Sequence, residues 1–221
     1  MKISLLTFFA ISLFFSSNLI AQTKGMGRSD AAAKPILDGV SAKFKTYKSV
    51  TANFNLKIEN VSGKLIGSKS GNVNMKGNKY RVSVTGQEIF FDGSTIWTYD
   101  KSSNEVQLTK FDPSSASVTP QKLFTNFYDK DFLYKLNDEP APGSKFYEIE
   151  LTPIDKTKPF SKVLLTVDKK TMNISNSKIF EKNGNRYTYS VTSIKTNTAL
   201  PDDKFVFDAK LYPKVEVVDL R

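Results

Sequence analysis

Phe90-Phe91-Asp92-Gly93-Ser94-Thr95-Ile96-Trp97-Thr98-Tyr99-Asp100 contains the clearest hairpin signal in the chain. Asp92-Gly93 predicts a two-residue type I′ turn, because both central positions of that turn need a positive φ, which Asp and Gly tolerate best. Apolar residues flank the turn on both sides: Ile89, Phe90 and Phe91 before it, and Ile96, Trp97 and Tyr99 after it. The sequence therefore predicts two antiparallel strands whose aromatic side chains must be covered by other parts of the chain.

Strand patterns continue on both sides of this hairpin. Between Val50 and Glu59 every second residue is apolar, namely Val50, Ala52, Phe54, Leu56 and Ile58, which is the period of a strand with one buried face. Similar short segments follow one another, separated by tight turn signals such as Gly77-Asn78 and Asn183-Gly184. We therefore predict a mainly β (α+β) fold with about ten or eleven strands in a single curved antiparallel sheet, an unclosed half-barrel.

Two segments have helical patterns. Ser29-Asp30 predicts the N-cap of a helix that runs to about Tyr47, with Leu37, Val40 and Phe44 on one apolar stripe. A long excursion between Phe111 and Gly143 contains a second short helix, from Gln121 to Tyr128, whose apolar residues are Leu123, Phe124 and Phe127. We expect both helices to cover the concave face of the sheet. The second helix is either a movable lid or a packing element.

The first 21 residues have the pattern of a secretory signal peptide. Lys2 precedes an apolar run from Ile3 to Phe15, and the small residue Ala21 marks the predicted cleavage site. The alternative, a membrane anchor, needs roughly 20 apolar residues, and this run is shorter and is followed by serines and Asn18. We predict export to the periplasm, with residues 22–221 forming one domain.

Composition excludes several classes of chemistry. The chain has no histidine and no cysteine, which excludes Ser-His-Asp and Cys-His nucleophiles, most zinc sites, disulfides and an acylated cysteine of its own. It contains neither common type of glycine-rich phosphate loop. A carboxylate pair for glycoside hydrolysis stays open, but no residue pattern requires one. We expect no metal, no cofactor and no enzymatic activity.

The charge is strongly basic, with a formal net charge of +10. The lysines are scattered along strands and turns, as is typical of a solvated face, and export makes nucleic acid an improbable partner. Attraction to anionic headgroups or to an acidic protein stays open. The concave face carries enough apolar and aromatic side chains to form a cavity for an acyl chain or an extended hydrophobic peptide, although the same residues could instead pack as a core.

An ordered set of residues then resembles a known family. The set is Ile36-Leu37-Asp38-Gly39-Val40-Ser41, Ala52-Asn53-Phe54, Asp92-Gly93 with Trp97 and Tyr99, Pro153, Phe205-Val206-Phe207, Pro213 and Val215-Glu216-Val217-Val218-Asp219. With this order and spacing the chain resembles the periplasmic outer-membrane lipoprotein carrier proteins of the LolA type. Members often have an Arg-Pro pair that helps to hold the lid, whereas this chain has Lys79-Tyr80-Arg81.

The resemblance implies a cavity that receives lipoprotein acyl chains. The cargo would come from an inner-membrane ABC-type transporter and pass to an outer-membrane acceptor if one exists, and we expect a monomer with only transient membrane proximity. The candidate cavity-lining residues are the apolar side chains Leu37, Val40, Phe44, Phe54, Leu56, Tyr80, Val82, Phe90, Trp97, Tyr99, Leu123, Phe124 and Phe127.

Two alternative functions share this fold. A carrier of another lipid or of a glycolipid differs only in its cargo. A sensor of the RseB type binds a membrane-bound regulator and has a second, C-terminal domain. Because Arg221 follows directly after the last predicted strand, we expect a carrier and not a sensor.

Overall fold

A computed structural model describes residues 28–112, 128–137 and 141–221. The predicted signal peptide lies outside the described residues. The predicted second helix also lies outside them, apart from Tyr128, and with it the candidate cavity residues Leu123, Phe124 and Phe127.

Twelve strands and two α-helices occur within the described residues. The helices are α1 (Lys34–Lys45) and α2 (Tyr128–Asp131). The strands are β1 (Val50–Glu59), β2 (Leu65–Lys76), β3 (Lys79–Val84), β4 (Gln87–Phe91), β5 (Thr95–Asp100), β6 (Glu105–Lys110), β7 (Phe132–Leu136), β8 (Phe146–Pro153), β9 (Phe160–Asp168), β10 (Ile174–Glu181), β11 (Arg186–Thr196) and β12 (Glu216–Asp219). Two 3-10 helices, Asp202–Phe205 and Ala209–Leu211, precede β12.

All the strands belong to one sheet that does not close into a barrel. The order across the sheet is β12-β6-β5-β4-β3-β2-β1-β11-β10-β9-β8-β7. Two antiparallel meanders, β1 to β6 and β7 to β11, are therefore joined along the β1–β11 pair, with Val50 opposite Thr196 and Glu59 opposite Arg186. This arrangement confirms the predicted half-barrel, with one exception: β12 pairs with β6 in parallel, because the chain crosses the sheet before it returns to that edge.

The central hairpin exists, but its turn differs from the prediction. β4 and β5 are joined by three residues, 92–94, and only Gly93 has a positive φ, of 107°. The carboxylate of Asp92 accepts hydrogen bonds from the backbone N–H groups of Ser94 (2.8 Å) and Thr95 (2.9 Å). The predicted type I′ turn is wrong because the side chain of Asp92 forms an Asx turn instead.

Helix α1 begins later and ends earlier than its sequence pattern predicts. Asp30 is not its N-cap, because the cap position is occupied by Ala33, which makes no side-chain capping bond. Asp30 instead links the start of the chain to the edge strand β7, donating its N–H to the carbonyl oxygen of Tyr134 (2.8 Å) and accepting the N–H of Leu136 (3.3 Å). Tyr47 lies beyond the last helical residue, Lys45.

Three hydrophobic clusters lie on the two faces of the sheet. We call the face that carries α1 the inner face. One inner cluster joins α1 to α2 and to β7–β10, with Leu37, Ile149 and Leu165 among its buried members. The second inner cluster contains Val50, Ala52, Met75, Tyr80 and Phe91.

The third cluster lies on the opposite, outer face and is covered by the C-terminal segment. Phe90, Tyr99, Val106 and Leu108 pack there against Phe207. Phe205 ends a 3-10 helix and Phe207 follows it, because this segment crosses the outer face instead of pairing with a strand. No helix in the part of the chain that the structure describes is long and apolar enough to span a bilayer.

Two lysines anchor the C-terminal segment to the sheet. The ammonium groups of Lys76 and Lys79 each lie 2.8 Å from the carboxylate of Asp202. The hydrogen bonds from these lysines lower the pKa of Asp202 to about 2. Asp202 is thus charged over the whole physiological pH range, and the segment is held against β2 and β3.

Candidate functional site

A cavity with a volume of about 370 Å³ lies between α1 and the inner face of the sheet. Its walls come from α1, from β1 to β4, from the turn between β9 and β10, and from β10 and β11. The lining residues are Val40, Phe44, Tyr47, Val50, Ala52, Phe54, Val73, Met75, Tyr80, Val82, Ile89, Met172, Asn173, Ile174, Ser177, Ile179, Tyr189, Val191 and Ile194. None of these described lining residues carries a charge.

The period of two in β1 builds one wall of the cavity. Val50, Ala52 and Phe54 point inward, and the polar residues between them point outward. The ring of Phe54 lies over Gly71 of the neighbouring strand and contacts the ring of Tyr189 on the other side, with ring centroids 5.8 Å apart. A residue with no side chain at position 71 therefore makes room for a large aromatic side chain in the cavity wall.

Helix α1 forms the roof over one end of the cavity. Val40 and Phe44 contribute to the lining from the helix. Gly39 allows the turn between β9 and β10 to come close, since an added Cβ would lie 2.7 Å from Cε of Met172. Just beyond the helix, the hydroxyl of Tyr47 donates a hydrogen bond of 3.2 Å to Oδ1 of Asn173 in the same turn.

Helix α1 is attached to α2 by polar contacts. The hydroxyl of Tyr128 donates a hydrogen bond of 2.6 Å to the carboxylate of Asp38, and Lys34 lies 3.4 Å from the carboxylate of Asp129. The hydrogen bonds from Tyr128 and Lys34 lower the pKa of Asp38. This link holds the helix in place without an Arg-Pro pair.

The few polar groups of the cavity are uncharged at neutral pH. Burial raises the pKa of Tyr80, and burial together with nearby Tyr187 raises the pKa of Tyr189, so both phenols keep their protons. The buried hydroxyl of Ser177 has no hydrogen-bond partner in the structure. The cavity is consequently suited to apolar parts of a ligand and disfavours ionic groups.

The structure brings five of the predicted residues to the cavity and places two more nearby. Val40, Phe44, Phe54, Tyr80 and Val82 line it. Leu37 and Leu56 are buried but are not part of the lining. Leu37 packs in the cluster between α1 and the half of the sheet that contains β7 to β10, one helical turn away from Val40 and Ser41.

Three other predicted residues lie on the outer face. Phe90, Trp97 and Tyr99 pack with Phe207 and are not part of the cavity lining, which corrects the sequence interpretation of the central hairpin. The reason is the alternation of β4: Ile89 faces the cavity, so its neighbour Phe90 faces away. The density of aromatic residues indicated burial but did not indicate on which face.

Several lining residues were not among the predicted site residues. They are Tyr47, Val50, Ala52, Val73, Met75, Ile89, Met172, Asn173, Ile174, Ser177, Ile179, Tyr189, Val191 and Ile194. Alternation in β10 and β11 would have identified Ile179, Tyr189 and Val191. The pairing of β1 with β11, which brings these strands beside Phe54, has no local signal in the sequence.

The described residues contain no cluster of three or more acidic side chains that could hold a metal ion. Most carboxylates that have shifted pKa values lie in turns or in surface ion pairs, and the buried Glu88 is paired with Arg81 and Lys101 and is not part of the cavity lining. Asp100, Asp155 and Asp168, for example, each accept hydrogen bonds within their own turns, and these bonds lower their pKa values. These groups stabilise turns and do not converge on the cavity.

Comparisons with known proteins agree with this architecture. The model of the family described as outer membrane lipoprotein carrier protein LolA matches residues 45–208. An outer-membrane lipoprotein carrier protein from Cupriavidus necator is 28% identical over 182 residues, which cover 80% of this chain and 84% of the relative.

A solved structure from Thermus thermophilus shares the fold at low sequence identity. An uncharacterized conserved protein from Thermus thermophilus superposes with a TM-score of 0.57 at 13% identity, over 85% of this chain and 99% of that protein. A LolA superfamily protein from Nitrosomonas europaea has a TM-score of 0.45 at 18% identity, over 80% of this chain and 98% of that one.

Proposed function

The chain belongs to the LolA family of outer membrane lipoprotein carrier proteins, and we propose that it shuttles lipoproteins from the inner to the outer membrane with their acyl chains held in the cavity. The observation that carries this proposal is the lining, in which side chains from α1 and six strands meet without a single charged group among the described residues. Such a lining fits hydrocarbon chains and leaves the protein part of the cargo in water.

The energetics favour a carrier that binds its cargo loosely. Burial of an acyl chain stabilises a complex by about 0.8 kcal/mol per methylene. A cavity that enclosed several chains completely would therefore release them too slowly for a carrier. The volume of about 370 Å³ is near the lower end of the range of ligand pockets, about 300 to 1,000 Å³. During transfer an acyl chain then moves from one apolar environment to another, and the donor and recipient of the cargo determine the direction.

The partners follow from the same proposal. The donor is an inner-membrane ABC-type transporter that releases lipoproteins at the expense of ATP, and the recipient is the outer membrane or an acceptor protein there. The carrier acts in the periplasm as a monomer and catalyses no reaction. Within the described residues the lid is α1, which the contact between Asp38 and Tyr128 joins to α2.

Release of lipoprotein from membranes tests the proposal. Inner-membrane vesicles that contain an acylated lipoprotein and its transporter are incubated with ATP and the purified protein, and the soluble lipoprotein is measured. Ile194→Asp places a charge in the cavity lining, and Val206→Asp is the matched control outside the lining, because both side chains are 40% exposed. We expect release that requires ATP and the wild-type protein, is lost with Ile194→Asp and is retained with Val206→Asp.

Other results would point to other functions. If the wild-type protein releases no lipoprotein but purifies with a phospholipid or glycolipid, the cargo is a free lipid. If both variants release cargo as well as the wild type does, the cavity is not the binding site. An empty cavity and no release in any condition would favour a sensor over a carrier.

A further inference from the structure

Three loops form a continuous surface at one end of the sheet. They are residues 60–64 between β1 and β2, residues 154–159 between β8 and β9, and residues 182–185 between β10 and β11. The last of these loops is tied to the other two: Lys182 donates its N–H to the carbonyl oxygen of Pro159 (2.9 Å), and just after the loop the guanidinium of Arg186 donates to the carbonyl oxygen of Val61 (3.3 Å). We call this end the loop surface.

Aliphatic side chains project from the loop surface into solvent. Val61, Leu65, Ile66 and Ile154 are each between 50% and 70% exposed, and none belongs to a hydrophobic cluster of the described residues. Val61, Leu65 and Ile66 lie within a span of six residues at the β1–β2 hairpin, where the pairing register between the two strands shifts. Exposed aliphatic residues that are concentrated in two adjacent loops and at the start of β2 need a partner in order to be buried.

Lysines surround these aliphatic side chains. Lys57, Lys64 and Lys69 are exposed on the β1–β2 hairpin, and Lys156 and Lys182 are exposed on the two other loops. Fewer carboxylates lie nearby: Glu59 is paired with another lysine, Lys178, at 2.8 Å, and only Asp155 and Glu181, which accept hydrogen bonds from neutral donors, oppose these five lysines. The loop surface therefore has a positive excess around an apolar centre.

We propose that the loop surface docks on an anionic lipid bilayer, with its aliphatic tips in the headgroup region and its lysines against lipid phosphates. The methylene groups of a lysine side chain can lie against apolar groups while its ammonium group stays among the lipid headgroups. A protein partner is less suited to this surface, because protein interfaces are enriched in aromatic residues and arginine and depleted in lysine. The charge and the projecting shape both match a bilayer.

The position of the loop surface relative to the cavity adds a reason for such docking. The inward-facing row of β1 continues from Phe54 in the cavity through Leu56 to Ile58, beside the hairpin tip. A bilayer at the loop surface would therefore face the end of this apolar row. The inference concerns membrane docking alone, and it holds whichever lipidated or lipid cargo the cavity carries.

Flotation with lipid vesicles tests the inference. The purified protein is mixed with vesicles of phosphatidylethanolamine and phosphatidylglycerol, or with vesicles of phosphatidylcholine alone, at low and at high salt. Each lysine near an anionic surface contributes about a fivefold change in partitioning, so the triple variant Lys57→Gln, Lys64→Gln, Lys69→Gln should bind the anionic vesicles about a hundredfold less at low salt. The variant Val61→Ser, Leu65→Ser, Ile66→Ser should lose binding that persists at high salt.

Matched variants at other places keep the test specific. The triple variant Lys48→Gln, Lys170→Gln, Lys195→Gln removes the same charge from exposed lysines at the opposite end of the sheet, and Leu211→Ser removes an exposed leucine elsewhere. Thermal unfolding followed by circular dichroism verifies that every variant is folded. Both controls should bind as the wild type does.

Two results would overturn the inference. One is wild-type protein that does not float with anionic vesicles at low salt. The other is equal loss of binding in the hairpin variants and in their controls, which would mean that only the net charge matters. If the first of these results came together with binding to an acidic periplasmic domain of a membrane protein, the loop surface would be assigned to a protein partner.

Discussion

Replacement of Gly71 by alanine tests how the cavity wall is built. In the β1–β2 pair Gly71 lies opposite Phe54, and its φ is not in the left-handed region, so alanine brings no backbone strain. The added Cβ would lie 2.4 Å from Cζ and 2.8 Å from Cε2 of the Phe54 ring, and 2.8 Å from Cγ1 of Val84. The substitution therefore acts through steric overlap alone.

The size of the effect follows from these distances. Ordinary contacts of a Cβ begin at 3.4 Å, so the Phe54 ring must move by about 1 Å, and the cavity is the open space on its other side. Overpacking of a core costs about 1 to 3 kcal/mol. Because the cavity accepts the displaced ring, we expect a loss of about 1 to 2 kcal/mol in the free energy of unfolding and weaker binding of an acyl ligand.

Urea denaturation and binding of a fluorescent fatty acid measure the two effects. In Gly71→Ala combined with Phe54→Leu, the side chain at position 54 has no ring and only the overlap with Val84 remains, so the penalty of alanine should become smaller and the double-mutant cycle should show a coupling of about 1 kcal/mol. Gly67→Ala is the matched control in the same strand, because its added Cβ would meet Ile58 at an ordinary 3.5 Å. Additive effects of the two substitutions, or equal losses in Gly71→Ala and Gly67→Ala, would refute this account of the wall.

Three further predictions concern polar groups. Ser177→Ala should raise the free energy of unfolding by about 1 kcal/mol in urea titrations, because the buried hydroxyl lacks a partner, and a loss of stability would show that it has one. Arg81→Ala should lower it by about 2 kcal/mol, because the buried carboxylate of Glu88 loses a 2.6 Å ion pair and keeps only its 2.8 Å pair with Lys101, whereas Glu88→Gln, Arg81→Ala should lose less. The folded pKa of Asp202, about 2, lies below its ordinary value of 3.8, so its contribution is present above about pH 4 and is lost towards pH 2. Unfolding curves of Asp202→Asn should therefore depend less on pH over this range than those of the wild type, and an unchanged dependence would contradict the role of the lysine pair.

Local patterns were sufficient for the strands but not for their pairing. The alternation from Val50 to Ile58 predicted β1 and its buried face, and the turn signal Asn183-Gly184 predicted the β10–β11 hairpin. Strands that follow one another in the sequence pair through turns of a few residues, and such turns have recognisable residue patterns. The pair of β1 and β11 joins residues more than 100 positions apart, and no local pattern records it.

The sequence by itself determined that this chain forms an open β sheet with an amphipathic helix on one face, because the period of side chains in a strand or helix is a property of the backbone. It also determined the resemblance to lipoprotein carriers, which the family match from residue 45 to residue 208 confirms. Only the tertiary structure decided which aromatic residues enclose the cavity. Phe54 and Tyr80 face it while Phe90 and Trp97 face away, because both faces of β4 and β5 are covered: the inner one by the cluster around Phe91 and the outer one by the C-terminal segment. Where a strand is buried on both faces, its apolar residues do not indicate which face of the sheet lines the cavity. The packing of segments that are distant in the sequence decides this.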